Sequence, residues 1–384
     1  MADGERKALV VQGPRSLAEV GAGPRSILSS VVSDALAVAR SRETALAAAR
    51  FQIGRYEFCE PDYSQILIWA KALEIDPEAL IEQLEKTSFI NNNEQRTVFS
   101  VEQGAIVSLA WDVNALPLKK FDWVRGLSIR DLAVFGEEAE YEDISISLPS
   151  LRSLFIGPIN LTELDLSNLP NLTQLGCASN QLTELDLSNV SNLTMLICFK
   201  NQLTELDLSN VPNVTQLGCG ENQLTELDLS NVPNIAFLTC EKNQLTELDL
   251  SHVPDLIALI CASNQLTELD LSNVSNLTML ICFKNQLTEL DLSNVPNLTK
   301  LLCGANQLTE LDVSNLPNLA QLGCASNQLT ELDLSNLPNL TQLGCASNQL
   351  AELDVRANTA LTLLSCDPSV NVKKLPSQNF RRHE

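Results

Sequence analysis

Apolar and polar positions alternate along residues 151–366 in a pattern that returns every 21 residues. In the coil from Leu172 to Asn192, the apolar residues Leu172, Leu175 and Cys177 are separated by polar or small residues, as in a strand with one buried face. The second half of the coil copies this spacing, with acidic residues between its leucines. We therefore predict two short parallel strands per coil, two stacked parallel sheets, and no long helix in the array. Because a single coil cannot bury its leucines alone, neighbouring coils must stack and both ends need caps.

The repeat also contains a column of cysteines spaced 21 residues apart. One thiol per coil does not make a four-ligand cluster, and the sequence has no C-x-x-C motif, so we predict no metal and no cofactor. We interpret the column as small buried hydrophobic residues. Unpaired thiols at this density favour a reducing compartment, which predicts a cytoplasmic protein. The column consists of Cys177, Cys198, Cys219, Cys240, Cys261, Cys282, Cys303, Cys324, Cys345 and Cys366.

The repeat reads L-T-x-L-x-C-x-x-N-Q-L-T-E-L-D-L-S-N-x-P-N, and it resembles the leucine-rich repeat family. Because its second half copies its first half, it is similar to the subclass called IRREKO, whose pattern is LxxLxLxxNxLxxLDLxx. The resemblance implies a leucine-rich-repeat β-solenoid, which becomes α+β overall when a small helical domain before it is included. In this family, the face built by the first strand of each coil is usually the one that binds a ligand.

Composition and periodicity divide the chain into five segments. The first is rich in Gly, Pro, Arg and Ser, and the second has helical spacing, with helices expected at Ser64–Leu73 and Pro77–Leu84. Strand-like stretches follow, and we interpret them as a cap whose core is closed by Trp111, Phe121 and Trp123. The predicted segments are a flexible arm at 1–26, a helical domain at 27–90, a linker and degenerate N-terminal repeat cap at 91–150, the leucine-rich repeat solenoid at 151–366, and a C-terminal cap with a basic tail at 367–384.

The motif Q-I-G-R-Y-E, with A-K-A-L-E-I-D-P-E-A-L after it, is similar to the last helices of Cro/repressor-type helix-turn-helix domains. The resemblance implies that Gln52, Arg55 and Tyr56 lie on or near a recognition helix. However, about three residues are missing before Tyr56 relative to the spacing that a helix-turn-helix needs. Residues 1–100 contain 11 basic and 14 acidic residues, a net charge of −3, and form no basic patch for phosphates. We therefore expect this segment to serve packing or protein contacts rather than nucleic-acid binding.

The net charge of −23 is concentrated in the repeats. Residues 161–355 contain 23 acidic and 4 basic residues, and twenty of the acids form two columns, from Glu163 to Glu352 and from Asp165 to Asp354. We interpret these columns as a solvated face that repels nucleic acid and anionic membranes. The sequence has no stretch of about 18 apolar residues and no signal peptide, so we predict no membrane segment.

The outward residues of the first strands are apolar in the middle of the array and carry scattered lysines. Apolar anchors inside a polar rim are typical of protein-binding hot spots. Residues 178–213 and 262–297 are identical, which indicates duplication of a four-coil block. The predicted partner-binding residues are Met195, Ile197, Phe199, Lys200, Phe237, Glu241, Lys242, Ile260, Met279, Ile281, Phe283, Lys284, Lys300 and Leu302.

Catalysis has no support in the sequence. The two histidines, His252 and His383, have no nucleophile and acid arranged around them as in a triad, and phosphate-loop and dinucleotide motifs are absent. We predict a non-enzymatic protein-protein interaction scaffold of bacterial origin that binds an unidentified protein through its first-strand face. Two alternatives stay open. One is a regulator whose N-terminal domain contacts DNA while the repeats act as a sensor, and the other is an effector or structural role of the acidic columns.

Overall fold

The computed structural model describes residues 50–53, 55–86, 88–91, 94–97, 99–102, 105–112, 129–136, 143–146 and 148–383. The flexible arm predicted at 1–26, the helical pattern predicted between residues 27 and 49, and the cap residues Phe121 and Trp123 lie outside the described residues.

From residue 50 to residue 97, the described residues form two helices between two antiparallel hairpins. Both helices lie where they were predicted, each somewhat longer than expected. Asp76 caps the N-terminus of the second helix, because its Oδ1 accepts a hydrogen bond of 2.8 Å from the backbone N–H of Glu78. The elements are β1 (Arg50–Ile53), β2 (Tyr56–Cys59), α1 (Glu60–Ala72), α2 (Pro77–Lys86), β3 (Ser88–Asn91) and β4 (Glu94–Thr97).

The segment compared with a recognition helix is the β1–β2 hairpin, so that part of the helix-turn-helix prediction is wrong. Gln52 lies in β1, Tyr56 lies in β2, and Arg55 lies between the two strands, where its guanidinium bonds a carboxylate of α2. Ile53 and Phe58 are buried. Because the segment is too short for both a turn and a third helix, the chain uses its β-prone Ile, Tyr and Phe residues in two short strands instead.

One sheet of 15 strands runs through the rest of the molecule. Its first two strands pair antiparallel, and every later pair is parallel, with neighbouring strands aligned without a shift along eleven coils. Its strands are β5 (Phe99–Glu102), β6 (Ala105–Asp112), β7 (Asp131–Phe135), β9 (Ser153–Ile156), β11 (Gln174–Gly176), β12 (Met195–Ile197), β13 (Gln216–Gly218), β14 (Phe237–Thr239), β15 (Ala258–Ile260), β16 (Met279–Ile281), β17 (Lys300–Leu302), β18 (Gln321–Gly323), β19 (Gln342–Gly344), β21 (Leu363–Ser365) and β23 (Arg381–His383).

The second half of each coil forms regular strands only at the two ends of the array. Between them it keeps alternating burial but forms no regular strand. In the middle coils, an aspartate such as Asp186 accepts a hydrogen bond of 2.9 Å from the N–H of Ser188 and turns the chain soon after Leu185. The predicted β-solenoid is confirmed, and its second sheet is reduced to two parallel pairs. These are β8 (Asp143–Ser145) with β10 (Glu163–Asp165), and β20 (Glu352–Asp354) with β22 (Asn371–Lys373).

The helices close the N-terminal end of the solenoid. Trp69 of α1 packs edge-on against Trp111 of β6, with ring centroids 4.9 Å apart. The buried carboxylate of Asp62 accepts a hydrogen bond of 3.0 Å from the N–H of Ile106. Trp111 is fully buried, as predicted, and the helix pair supplies the apolar cover that the first coils need.

Two inward columns hold successive coils together. All ten array cysteines are unpaired and buried, and burial raises the pKa of Cys198 and of Cys261 to about 12. Beside them, the Asn264 amide donates hydrogen bonds of 3.0 Å to the carbonyls of Cys240 and Cys261. Its oxygen accepts one of 3.1 Å from the N–H of Leu245. Each such asparagine joins two coils, so the backbone groups of the turns are paired where water is excluded.

Candidate interaction surface

The alignment of the strands places the fourteen predicted partner-binding residues in, or just after, successive strands of the large sheet. Residues 21 positions apart pair directly, as Met195 does with Gln216 and Gln216 with Phe237. The residues therefore stand in four parallel columns. The first contains Met195, Phe237, Met279 and Lys300; the second Ile197, Ile260, Ile281 and Leu302; the third Phe199, Glu241 and Phe283; and the fourth Lys200, Lys242 and Lys284.

The apolar members of this surface differ in exposure. Phe199 and Phe237 are 40% and 45% exposed, whereas the other apolar residues are half-buried. Glycines in neighbouring coils lie beside two of the half-buried side chains. A Cβ at Gly218 would lie 3.1 Å from Cδ1 of Ile197, and one at Gly323 would lie 2.8 Å from Cδ2 of Leu302. These two glycines therefore provide room for side chains of the adjacent coil.

Ile257 is a surface residue that the sequence reasoning missed. It is 38% exposed and directly precedes β15, beside the first column. In most coils this position is a threonine whose hydroxyl donates to the carbonyl 21 residues earlier, as Thr278 does to Ile257 at 3.1 Å. Ala236 and Ile257 interrupt that polar column next to Phe237. The interruption is visible in the aligned repeats and marks the apolar centre of the surface.

The lysines of the fourth column are held by an unusual backbone. Residues at this position have a left-handed conformation in nine consecutive coils, with φ of 57° at Lys200, 54° at Lys242 and 56° at Lys284. The N–H of Lys200 donates to the carbonyl of Gly220 at 2.9 Å, and the other two lysines bond the next coil in the same way. The lysine side chains therefore project from fixed backbone positions.

The charges of the surface are only partly paired. Lys242 bonds the carboxylate of Glu221 at 2.8 Å, and this raises the pKa of Lys242. Among residues 148–383, Lys200, Lys284 and Lys300 have no carboxylate within 4.0 Å. The carboxylate of Glu241 lies over Gly220 and has one buried oxygen without a hydrogen-bond partner. Three ammonium groups are thus available to acidic groups of a partner.

The opposite side of the coils carries the acidic columns. They line a groove of ≈ 1960 Å³ that spans coils from Glu226 to Asp354, with leucines such as Leu269 between them. In Asp270, hydrogen bonds from the N–H and hydroxyl of Ser272 lower the carboxyl pKa, and this outweighs the repulsion from neighbouring aspartates.

Within the described residues, no three His, Cys, Asp or Glu side chains are grouped to hold a metal ion.

His252 is not organised for catalysis. Its Nδ1 lies 2.9 Å from Oγ of Ser251 and 3.7 Å from Oδ2 of Asp249, so the hydroxyl and the carboxylate approach the same ring nitrogen. A triad needs them on opposite nitrogens. No helix among the described residues is long and apolar enough to cross a membrane.

Comparison with known proteins shows the fold. No protein-family model and no curated protein sequence match the chain. Among solved structures, the functional domain of InlJ from Listeria monocytogenes, which includes a cysteine ladder, is 42% identical, with a TM-score of 0.58. The match covers 59% of this chain and 51% of that one, so this chain spans about half of the InlJ structure.

Two further structures have lower identity and bear on the fold alone. The internalin InlF from Listeria monocytogenes is 24% identical, covering 65% of this chain and 85% of that one, with a TM-score of 0.55. A leucine-rich-repeat protein from Leptospira interrogans is 22% identical, covering 65% and 74%, also with a TM-score of 0.55. With the eleven stacked coils, these likenesses show that the chain has the leucine-rich-repeat fold.

Proposed function

We propose that this protein is a non-enzymatic scaffold of the IRREKO type that binds a protein partner through the first-strand surface described above. The observation that carries the proposal is the combination, on one continuous sheet, of exposed Phe199 and Phe237 with lysines that have no carboxylate within 4.0 Å among residues 148–383. Such a surface favours a partner that offers apolar side chains with acidic groups beside them. The apolar side chains would pack against the phenylalanines, and the acidic groups would form ion pairs with the lysines.

The test is a paired substitution at the two equivalent phenylalanines, Phe199→Asp with Phe283→Asp. We expect this variant to keep its circular dichroism spectrum and to lose capture of a partner. The partner would bury each new carboxylate on binding, and no opposite charge would compensate for the lost hydration. Partners captured from native lysate by the full chain are identified by mass spectrometry, purified, and titrated against both proteins. We expect the affinity to fall by a factor of about 100 or more.

The matched control carries the same added charge in the same coils but away from the surface. Thr204→Asp with Thr288→Asp changes two exposed residues that are also four coils apart. This control should bind as the unaltered chain does. Equal binding by all three proteins would remove the surface from the proposal.

The compartment that we propose is the cytoplasm, in a bacterium, where unpaired thiols remain reduced. What supports this is the column of ten cysteines, all of them unpaired. Cell fractionation of the tagged full-length chain tests the localisation, and recovery outside the cytoplasm would contradict it.

A further inference from the structure

The two identical blocks, residues 178–213 and 262–297, place two copies of one side-chain set on the same surface. The first copy is Met195, Ile197, Phe199 and Lys200 on and after β12, and the second is Met279, Ile281, Phe283 and Lys284 on and after β16. Because every strand between them pairs in register, each residue of the first copy stands in the same column as its counterpart. The φ angles of 57° at Lys200 and 56° at Lys284 show the same backbone at both ends.

We propose that these two sets act together as a bivalent site for a polypeptide that repeats one apolar and acidic epitope head to tail. This inference rests on the proposed function, because it uses the same surface, and it adds the kind of partner. Four steps between parallel strands of about 4.8 Å separate the two sets by roughly 19 Å.

The relation between the two copies restricts the shape of the partner. One set is brought onto the other by a translation along the array, so both point in the same direction. A partner dimer with two-fold symmetry would present its second epitope reversed, and it would meet only one set correctly. A tandem-repeat protein or a filament presents its epitopes in the same direction, and it can therefore occupy both sets at once.

The chemistry of each set defines the epitope. The methionine, isoleucine and phenylalanine offer a half-exposed apolar strip, and the lysine at its end has no carboxylate within 4.0 Å among residues 148–383. An apolar side chain followed by a carboxylate complements this order. The surroundings differ, since Gly176 and Gly218 flank Ile197 whereas Ile260 and Leu302 flank Ile281. The two sets therefore bind the same epitope with somewhat different strength.

Simultaneous binding has a measurable consequence. Once one epitope is bound, the second binds intramolecularly, and a matched spacing strengthens the whole by a factor of about 10²–10⁴. A partner with one epitope binds each set separately. The second set then lets the chain bind a second partner molecule but does not increase the affinity. Spacing, rather than composition, therefore tests the proposal.

The probe is a pair of short peptides on a rigid rod. Five-residue peptides rich in Asp, Glu, Leu, Phe and Trp are selected by phage display on the full chain. Two copies of the selected peptide are then attached to lysine side chains six residues apart on a polyproline helix. With a rise of about 3.1 Å and three residues per turn, this places both copies on one side, roughly 19 Å apart. Control rods carry the copies three or twelve residues apart, and a further control carries one copy.

Titration calorimetry on the full chain should show that the six-residue rod binds one to one and about 100-fold or more tighter than the one-copy rod. The three- and twelve-residue rods should bind close to one-copy strength. Phe199→Asp alone, or Phe283→Asp alone, should reduce the six-residue rod to one-copy strength, and both together should abolish binding.

Two results would overturn the proposal, and they differ in what they leave standing. If all rods bind with the same affinity and each single variant only halves the stoichiometry, the two sets are independent, and the surface still binds a partner. If no peptide is selected, or if the selected peptides bind the double variant as well as the unaltered chain, both the bivalent site and the surface fail.

Discussion

At the scale of single residues, the fourth column shows a local cost that the fold accepts in coil after coil. Non-glycine residues adopt the left-handed region there, from Ser179 to Ser347, although this conformation disfavours a Cβ by about 1–2 kcal/mol. The N–H of each residue bonds the next coil, as that of Ala305 does the carbonyl of Ala325 at 2.7 Å. The turn is therefore imposed by stacking rather than by the residue that occupies it.

Glycine at this position should relieve the cost. We expect Ala305→Gly to raise the free energy of unfolding by about 0.5–1 kcal/mol. Removing the Cβ relieves strain in the folded protein, and this gain exceeds the loss caused by the greater conformational entropy of glycine in the unfolded chain. Urea unfolding followed by circular dichroism measures the change. The same substitution at Ala325, which has no left-handed backbone, should lower stability by about 0.5–1 kcal/mol. Equal effects at both positions would show that the conformation carries no cost.

At the scale of the coil, the asparagine column connects neighbours more effectively than any surface bond. The side chain of Asn264 forms hydrogen bonds with three buried backbone groups. These are the carbonyl of Cys261 in its own turn, the carbonyl of Cys240 in the preceding turn, and the N–H of Leu245 in the preceding coil. The surface also has a regular amide column, in which Asn339 donates to the carbonyl of Pro317 at 3.0 Å, but water competes there. Both columns look alike in the repeat sequence, and burial separates their roles.

The two columns should respond differently to truncation. Asn264→Ala should lower the free energy of unfolding by about 3 kcal/mol, because it leaves buried donor and acceptor groups unpaired. Asn339→Ala should cost less than about 1 kcal/mol, because solvent replaces the lost bond. Thermal and urea unfolding of the two variants side by side provide the measurement. Similar losses would mean that the inner column does not hold the coils together.

At the scale of the whole molecule, the array combines a negative face with a partly positive one. The acidic groove repeats two carboxylates per coil, whereas the first-strand surface has Lys200, Lys284 and Lys300 without an ion pair to the described residues around them. The aspartates tolerate their neighbours because serine N–H and hydroxyl groups stabilise their charged form. This lowers the carboxyl pKa of Asp186, Asp207, Asp228, Asp249, Asp270, Asp291 and Asp312.

A pH dependence of stability follows from these seven aspartates. Their pKa values are lower in the folded than in the unfolded protein, so the unfolded chain binds more protons near pH 4. The stabilisation is therefore fully present above the unfolded pKa of about 3.9 and is lost as the pH falls through the folded values. Urea midpoints measured from pH 6 to pH 2.5 should decrease below pH 4.

The control replaces all seven aspartates by asparagine, whose oxygen still accepts the serine bonds but does not titrate. This variant should show a flatter pH profile than the unaltered chain. If the unaltered chain became more stable on acidification relative to the variant, repulsion within the column would outweigh the serine hydrogen bonds.

The sequence by itself determined the features that recur with the repeat. The 21-residue period, the inward leucines and cysteines, the outward columns and the acidic face are all consequences of identical coils stacking in register. Each strand has one apolar face, and a shift of one residue between coils would expose that face to water, so the coils stack in register. For the same reason, the fourteen predicted partner-binding residues fall at four recurring positions of the repeat, and their role in binding stays a prediction.

Tertiary structure decided what depends on contacts between unlike segments. Residues near Gln52 and Tyr56 became a hairpin rather than a helix, because buried Ile53 and Phe58 pack on α1 and α2. Three other features also depend on neighbouring residues that the repeat does not encode. These are the greater exposure of Phe199 than of Phe283, the space that Gly218 leaves for Ile197, and the packing of α1 against β6. A periodic sequence specifies its own stacking, while its ends and the fine relief of its surface depend on packing between different residues.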